Sequence, residues 1–78
     1  MEKPRLGERY WYIEVDNDDS WRIREKENKL EDMDKYNFAS ENFYQSKDEA
    51  QGNAFEMLMK LTLLSAEEVG RMIMNYKE

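Results

Sequence analysis

The sequence has no cysteine and no histidine, and it holds one proline and three glycines in 78 residues. Without cysteine no disulfide can staple the fold and no thiolate can act as a nucleophile. Without histidine the usual general base near neutral pH is missing. Gly7, Gly52 and Gly70 are scattered and build no phosphate-cradling loop. Paired carboxylates could act as acid and base, but a domain this short offers little volume for a pocket of about 300 Å³. A non-enzymatic protein with no cofactor and no bound metal is expected. No apolar run approaches the ~18 residues needed to cross a bilayer, and the opening MEKPRLGERYW lacks the apolar core of a signal peptide. A cytoplasmic location is expected, in keeping with the missing cysteine.

What is present is charge. There are 18 acidic and 12 basic residues, for a net charge of −6. Residues 1–40 hold 11 acids and 8 bases and residues 41–78 hold 7 and 4, so each half carries −3 and neither is a basic face for nucleic acid. A basic protein surface is the better electrostatic match. Aromatic residues make up 13%, too many for a disordered chain, and the apolar residues fall in periodic segments.

The chain reads as one α+β domain, residues 1–78. Residues 1–8 are polar and read as a flexible arm. From Arg9 to Val15 the pattern alternates, with Trp11, Ile13 and Val15 on one face and Tyr10, Tyr12 and Glu14 on the other. After DNDDS it resumes with Trp21 and Ile23. Setting Val15 opposite Trp21 brings Ile13 to Ile23 and Glu14 to Arg22; a slip by one residue would turn the apolar side chains out. Residues 25–40 are highly charged and read as a long loop with at most one helical turn at Leu30 and Met33. ENFYQ, residues 41–45, reads as a third strand. The expected architecture is thus a three-stranded antiparallel sheet in the order β-β-β-α-α.

Two capping boxes follow. Ser46 with Glu49 and Ser65 with Glu68 each set a serine three residues ahead of a glutamate. After the first, Ala50, Ala54, Met57, Leu58 and Leu61 form one helical stripe, a lid for the apolar face of the hairpin. After the second come Val69, Met72, Ile73 and Tyr76. Residues 46–77 are expected to form one bent helix or two short ones, with the break at TLL.

The candidate binding residues lie in the hairpin. Asp16, Asp18, Ser20, Ile23 and Glu27 match places of a calcium-binding loop, but Trp21 stands where the glycine is required and the flanks read as strands. Asp and Asn are also common turn residues. With Glu14, Asp16, Asp18 and Asp19, the tip forms an acidic knob that could enter a basic groove. Tyr10 and Tyr12, with Arg22 and Arg24 beside them, are expected to form an exposed aromatic–basic patch, suited to stacking bases or to a protein interface. Met59 and Met74 fall off the helical stripes, where an adaptable contact or a homodimer could use them.

The stretch KYNFASENFYQSKDEAQGNAFEMLMKL, with YWYI and a second tryptophan ahead of it, resembles a type of small bacteriophage and prophage protein. Those chains open with an aromatic hairpin and continue with a segment like GN-x-F-x-T-x-E-E-A. Asn42, Tyr44, Ser46, Asp48, Glu49 and Ala50 stand at its places, and Glu41 replaces its glycine. The likeness covers about residues 8–61 and leaves the last helix outside. It implies an accessory protein that binds a host protein stoichiometrically, as small acidic inhibitors of CRISPR effectors or other nucleic-acid enzymes do by imitating DNA. The alternatives are a small nucleic-acid-associated module using Tyr10, Tyr12, Arg22 and Arg24, and a structural homodimer.

Overall fold

A computed structural model describes residues 2–78. Strands β1 (Arg9–Val15) and β2 (Trp21–Glu27) form an antiparallel hairpin, followed by helices α1 (Asp32–Ala39), α2 (Lys47–Gly52), α3 (Ala54–Thr62) and α4 (Ala66–Met72). The hairpin pairs Val15 with Trp21, Ile13 with Ile23 and Glu14 with Arg22, the register that buries one apolar face. Ile13 and Trp21 join Tyr44, Ala50, Ala54, Met57, Leu58, Val69 and Met72 in the core, with Trp11, Val15 and Ile23 packed against it. Helices α2, α3 and α4 therefore cover this face, as the stripe of small and apolar residues dictates.

The sheet has two strands, not the three expected. The segment meant to be the third strand touches β1 at one backbone bridge. There Tyr44 donates to the Trp11 carbonyl at 2.8 Å and accepts from the Trp11 N–H at 2.9 Å. Two residues earlier a side chain replaces the backbone: the Asn42 amide accepts from the Ile13 N–H at 2.9 Å and donates to the Ile13 carbonyl at 2.8 Å. An amide side chain has the donor and acceptor of a peptide group, so it satisfies the edge without a strand.

The charged stretch after β2 is a two-turn helix, not a loop. Its first turn carries Asp32 and Asp34, which favour the positive end of the helix dipole. It ends at Ser40 with the Glu41 N–H bonded to the Phe38 carbonyl and the Asn42 N–H to the Asn37 carbonyl. This double closure requires a left-handed residue at Glu41, whose φ is 59°. Glycine suits that conformation best.

The helical part has three helices rather than one or two. Asn53 separates α2 from α3, and Leu63, left-handed at φ 59°, ends α3. Ser65 and Glu68 form the reciprocal capping box; Ser46 caps through the Glu49 N–H, but Glu49 does not reach back to the Ser46 N–H. In the N-terminal arm, Asn28 donates to the Pro4 carbonyl and its own carbonyl accepts from the Gly7 N–H.

Candidate protein-binding surface

Three of the four carboxylates of the hairpin tip are bound within the fold. Asp16 accepts from the Arg22 guanidinium at 2.9 Å and from Ser20 at 3.3 Å. Asp18 pairs with Lys77 at 2.6 Å and accepts from the Ser20 hydroxyl and N–H. Lys77 first, and Ser20 after it, hold the Asp18 carboxyl far below the usual carboxylate range. Glu14 pairs with Arg24 at 2.8 Å and lies 3.9 Å from Arg22. Asp19, left-handed at φ 61°, turns the chain and makes no ion pair among the described residues. Of the four acids of the expected knob, three are neutralised within the fold. Among the described residues no three carboxylates converge as a metal site would require.

The aromatic–basic patch does not form. Tyr10 is fully buried and Tyr12 is 6% exposed, because α1 lies over this face of the hairpin. The Tyr10 hydroxyl donates to Asp34 at 2.6 Å and accepts from Asn37 at 3.0 Å, and its ring lies 5.3 Å from Phe38. Asp34, also fully buried, takes Lys26 on one oxygen and the N–H groups of Lys29 and Glu31 on the other. Burial works against its charge, but Lys26, Tyr10 and the two N–H groups prevail and hold its pKa at about 2. The same burial, with the Asp34 carboxylate at its hydroxyl, pushes Tyr10 well above the usual phenol range. Arg22 and Arg24 remain partly accessible, but the tyrosine rings needed for stacking are covered.

Unpaired acid lies elsewhere, around Tyr44. A cleft of about 180 Å³ is lined by Glu41, Tyr44, Asn53, Glu56, Met57 and Lys60. Burial first, then the nearby Glu49 and Glu56 carboxylates, push the Tyr44 hydroxyl up to about 12. None of Glu41, Glu49 and Glu56 makes an ion pair among the described residues; Lys60, at the rim, donates to the Ser40 carbonyl. These glutamates were not among the expected binding residues because they are spread over residues 41–56 and come together only where α1 ends and α2 and α3 pass beneath β1. A second, apolar cleft of about 240 Å³ lies along β1, with Met33 and Tyr36 of α1 exposed at its rim. Of the methionines proposed for contacts, Met59 packs against the core and Met74 is exposed.

Compared with protein-family models, with curated proteins and with solved structures, the chain matches none of them. Among the described residues no helix is long and apolar enough to cross a membrane.

Proposed function

We propose that this chain is a non-catalytic protein-binding module that recognises a basic surface on a host macromolecule through the acidic face around Tyr44. The phage-type resemblance extends the reading: the partner is a nucleic-acid enzyme or CRISPR effector, blocked stoichiometrically at a groove that normally holds phosphates. The observation that carries the proposal is the contrast between the two acidic clusters. At the hairpin tip three of the four carboxylates are taken by Arg22, Arg24 and Lys77, whereas Glu41 and Glu56 are exposed and Glu49 half-buried, none of them with a base bound among the described residues. Only unneutralised charge steers a cationic partner over distance.

The test is affinity capture from a bacterial lysate, with the wild-type chain and the triple variant Glu41→Gln, Glu49→Gln, Glu56→Gln as baits. The wild type is expected to retain a nucleic-acid enzyme that 0.5 M salt elutes, and the variant to lose it. Retention by both baits alike would remove this face from the mechanism, and the absence of any specific partner would end the reading.

A further inference from the structure

We propose that the cleft between the N-terminal arm and α1 is a docking site for an acidic segment of another protein, in which carboxylates flank a large apolar side chain. The inference does not rest on the acidic face around Tyr44.

The first observation is unneutralised positive charge gathered in one place. Arg9, Arg22, Arg24, Lys26, Arg71 and Lys77 form ion pairs within the chain. Lys3, Arg5 and Lys35 form none among the described residues, and all three line one cleft of about 500 Å³. No described carboxylate lines it. Glu2 and Glu8 belong to a neighbouring cleft that shares Lys3 and Arg5, and the Glu8 carboxylate is taken by the Arg5 N–H at 2.7 Å. In a chain of net charge −6, three bases without an acid reverse the sign locally. Charges beyond roughly 8 Å are largely screened at physiological salt, so the local bases decide what docks there.

The second observation is the apolar lining. Leu6, Leu30 and Phe38 line the same cleft, with Leu6 68% and Leu30 54% exposed. Leu30 also holds a left-handed backbone, φ 55°, which strains a leucine. A strained residue that stays more than half exposed contributes little to the fold, so its apolar side chain is of use in a contact. The cleft is built within the free chain. Asn28 ties its two walls, the side-chain amide donating to the Pro4 carbonyl at 3.0 Å and Oδ1 accepting from the Leu30 N–H at 3.0 Å. A site held in this way loses less entropy on binding than a loose one.

These features select the occupant. An apolar cleft rimmed by bases takes an apolar anchor with acids around it. Lys3 and Arg5 stand on the arm and Lys35 on α1, so a lone carboxylate, as in a fatty acid, would leave bases without a partner. A peptide segment with several carboxylates reaches both walls. A nucleic acid or an anionic bilayer carries its charge far beyond the cleft, against the acidic remainder of the chain.

The experiment titrates the ¹⁵N-labelled full chain with the peptide Asp-Glu-Leu-Phe-Asp-Glu, blocked at both ends. Two comparison peptides each keep half of this chemistry: Asp-Glu-Ser-Ser-Asp-Glu and Asn-Gln-Leu-Phe-Asn-Gln. The first peptide is expected to bind saturably and to shift the Leu6, Leu30, Phe38 and Ala39 amides. Both comparison peptides are expected to bind roughly tenfold more weakly or worse. The double variant Lys3→Gln, Lys35→Gln is expected to weaken binding about fivefold or more. Leu30→Gly is expected to do the same while keeping or raising the melting temperature, because glycine relieves the left-handed backbone. No saturable shift up to about 2 mM peptide, equal binding of either comparison peptide, or unchanged affinity in both variants would overturn the proposal. So would tighter binding to a single-stranded oligonucleotide or to vesicles containing anionic lipid, or a homodimer that already covers these amides.

Discussion

Asn42 holds Ile13 by both ends, its Oδ1 accepting the Ile13 N–H at 2.9 Å and its Nδ2 donating to the Ile13 carbonyl at 2.8 Å. Both residues are buried, so neither backbone group has water to fall back on. Asn42→Ala is expected to lower stability by about 2–4 kcal/mol, the loss from two buried groups left without partners. That is most of what a core of this size supplies. A urea titration followed by tryptophan fluorescence measures it; a midpoint within 0.5 M of wild type would show that the clamp contributes little.

Tyr10 and Asp34 tie α1 to the hairpin. Tyr10→Phe takes one donor from Asp34 and the acceptor from the Asn37 amide, at an expected loss of about 1–3 kcal/mol. The same pair sets an acid limit. The Asp34 pKa is about 2 in the folded chain against an ordinary 3.8, so between these values the unfolded chain binds the proton first. Stability is fully present above pH 4 and falls as the pH drops towards 2, by on the order of 2 kcal/mol from this group. In urea titrations from pH 5 to pH 2, Asp34→Asn is expected to be less stable throughout and to show a shallower decline.

The hairpin tip separates into holding and turning residues. Asp16→Ala frees Arg22 and is expected to lose about 0.5–1.5 kcal/mol. Asp19→Gly relieves a left-handed backbone and is expected to gain up to ~1 kcal/mol. Thermal melts of the two variants should shift in opposite directions. Neither change should alter capture of the partner, which is assigned to the face around Tyr44.

Glu41 and Leu63 both close helices in the left-handed conformation. Leu63 does so with its side chain 89% exposed, so it gains no burial in return. Glu41→Gly and Leu63→Gly are each expected to raise stability by about 0.5–1 kcal/mol, and to add when combined, since they cap different helices. A lower melting temperature for either would mean that the side chain makes a contact worth more than the backbone strain.

The hairpin was legible because its alternation has period two and only one register buries every apolar side chain. Helix α1 was not, because its fully enclosed residues are Asp34 and Asn37 while Leu30 and Met33 are exposed. A helix held by polar anchors leaves no apolar stripe to read. The error about Tyr10 and Tyr12 follows from that one: with α1 taken for a loop, nothing was left to cover their face. The third strand was misjudged because the pattern cannot tell a backbone from an asparagine amide that does its work. The acidic tip was seen as a cluster in sequence, but Lys77, which neutralises part of it, lies 59 residues away.

One short segment serves both sides of the hairpin. Phe43 meets Phe38 of α1 edge-on at 5.6 Å, while its neighbour Tyr44 is buried among Ile13, Trp21 and Leu58 on the opposite face. A tripeptide anchored at Asn42 thereby couples two small clusters, each too slight to stand alone. Loosening either one pulls on the other, so the molecule is expected to melt in a single transition, with tyrosine and tryptophan signals superimposing.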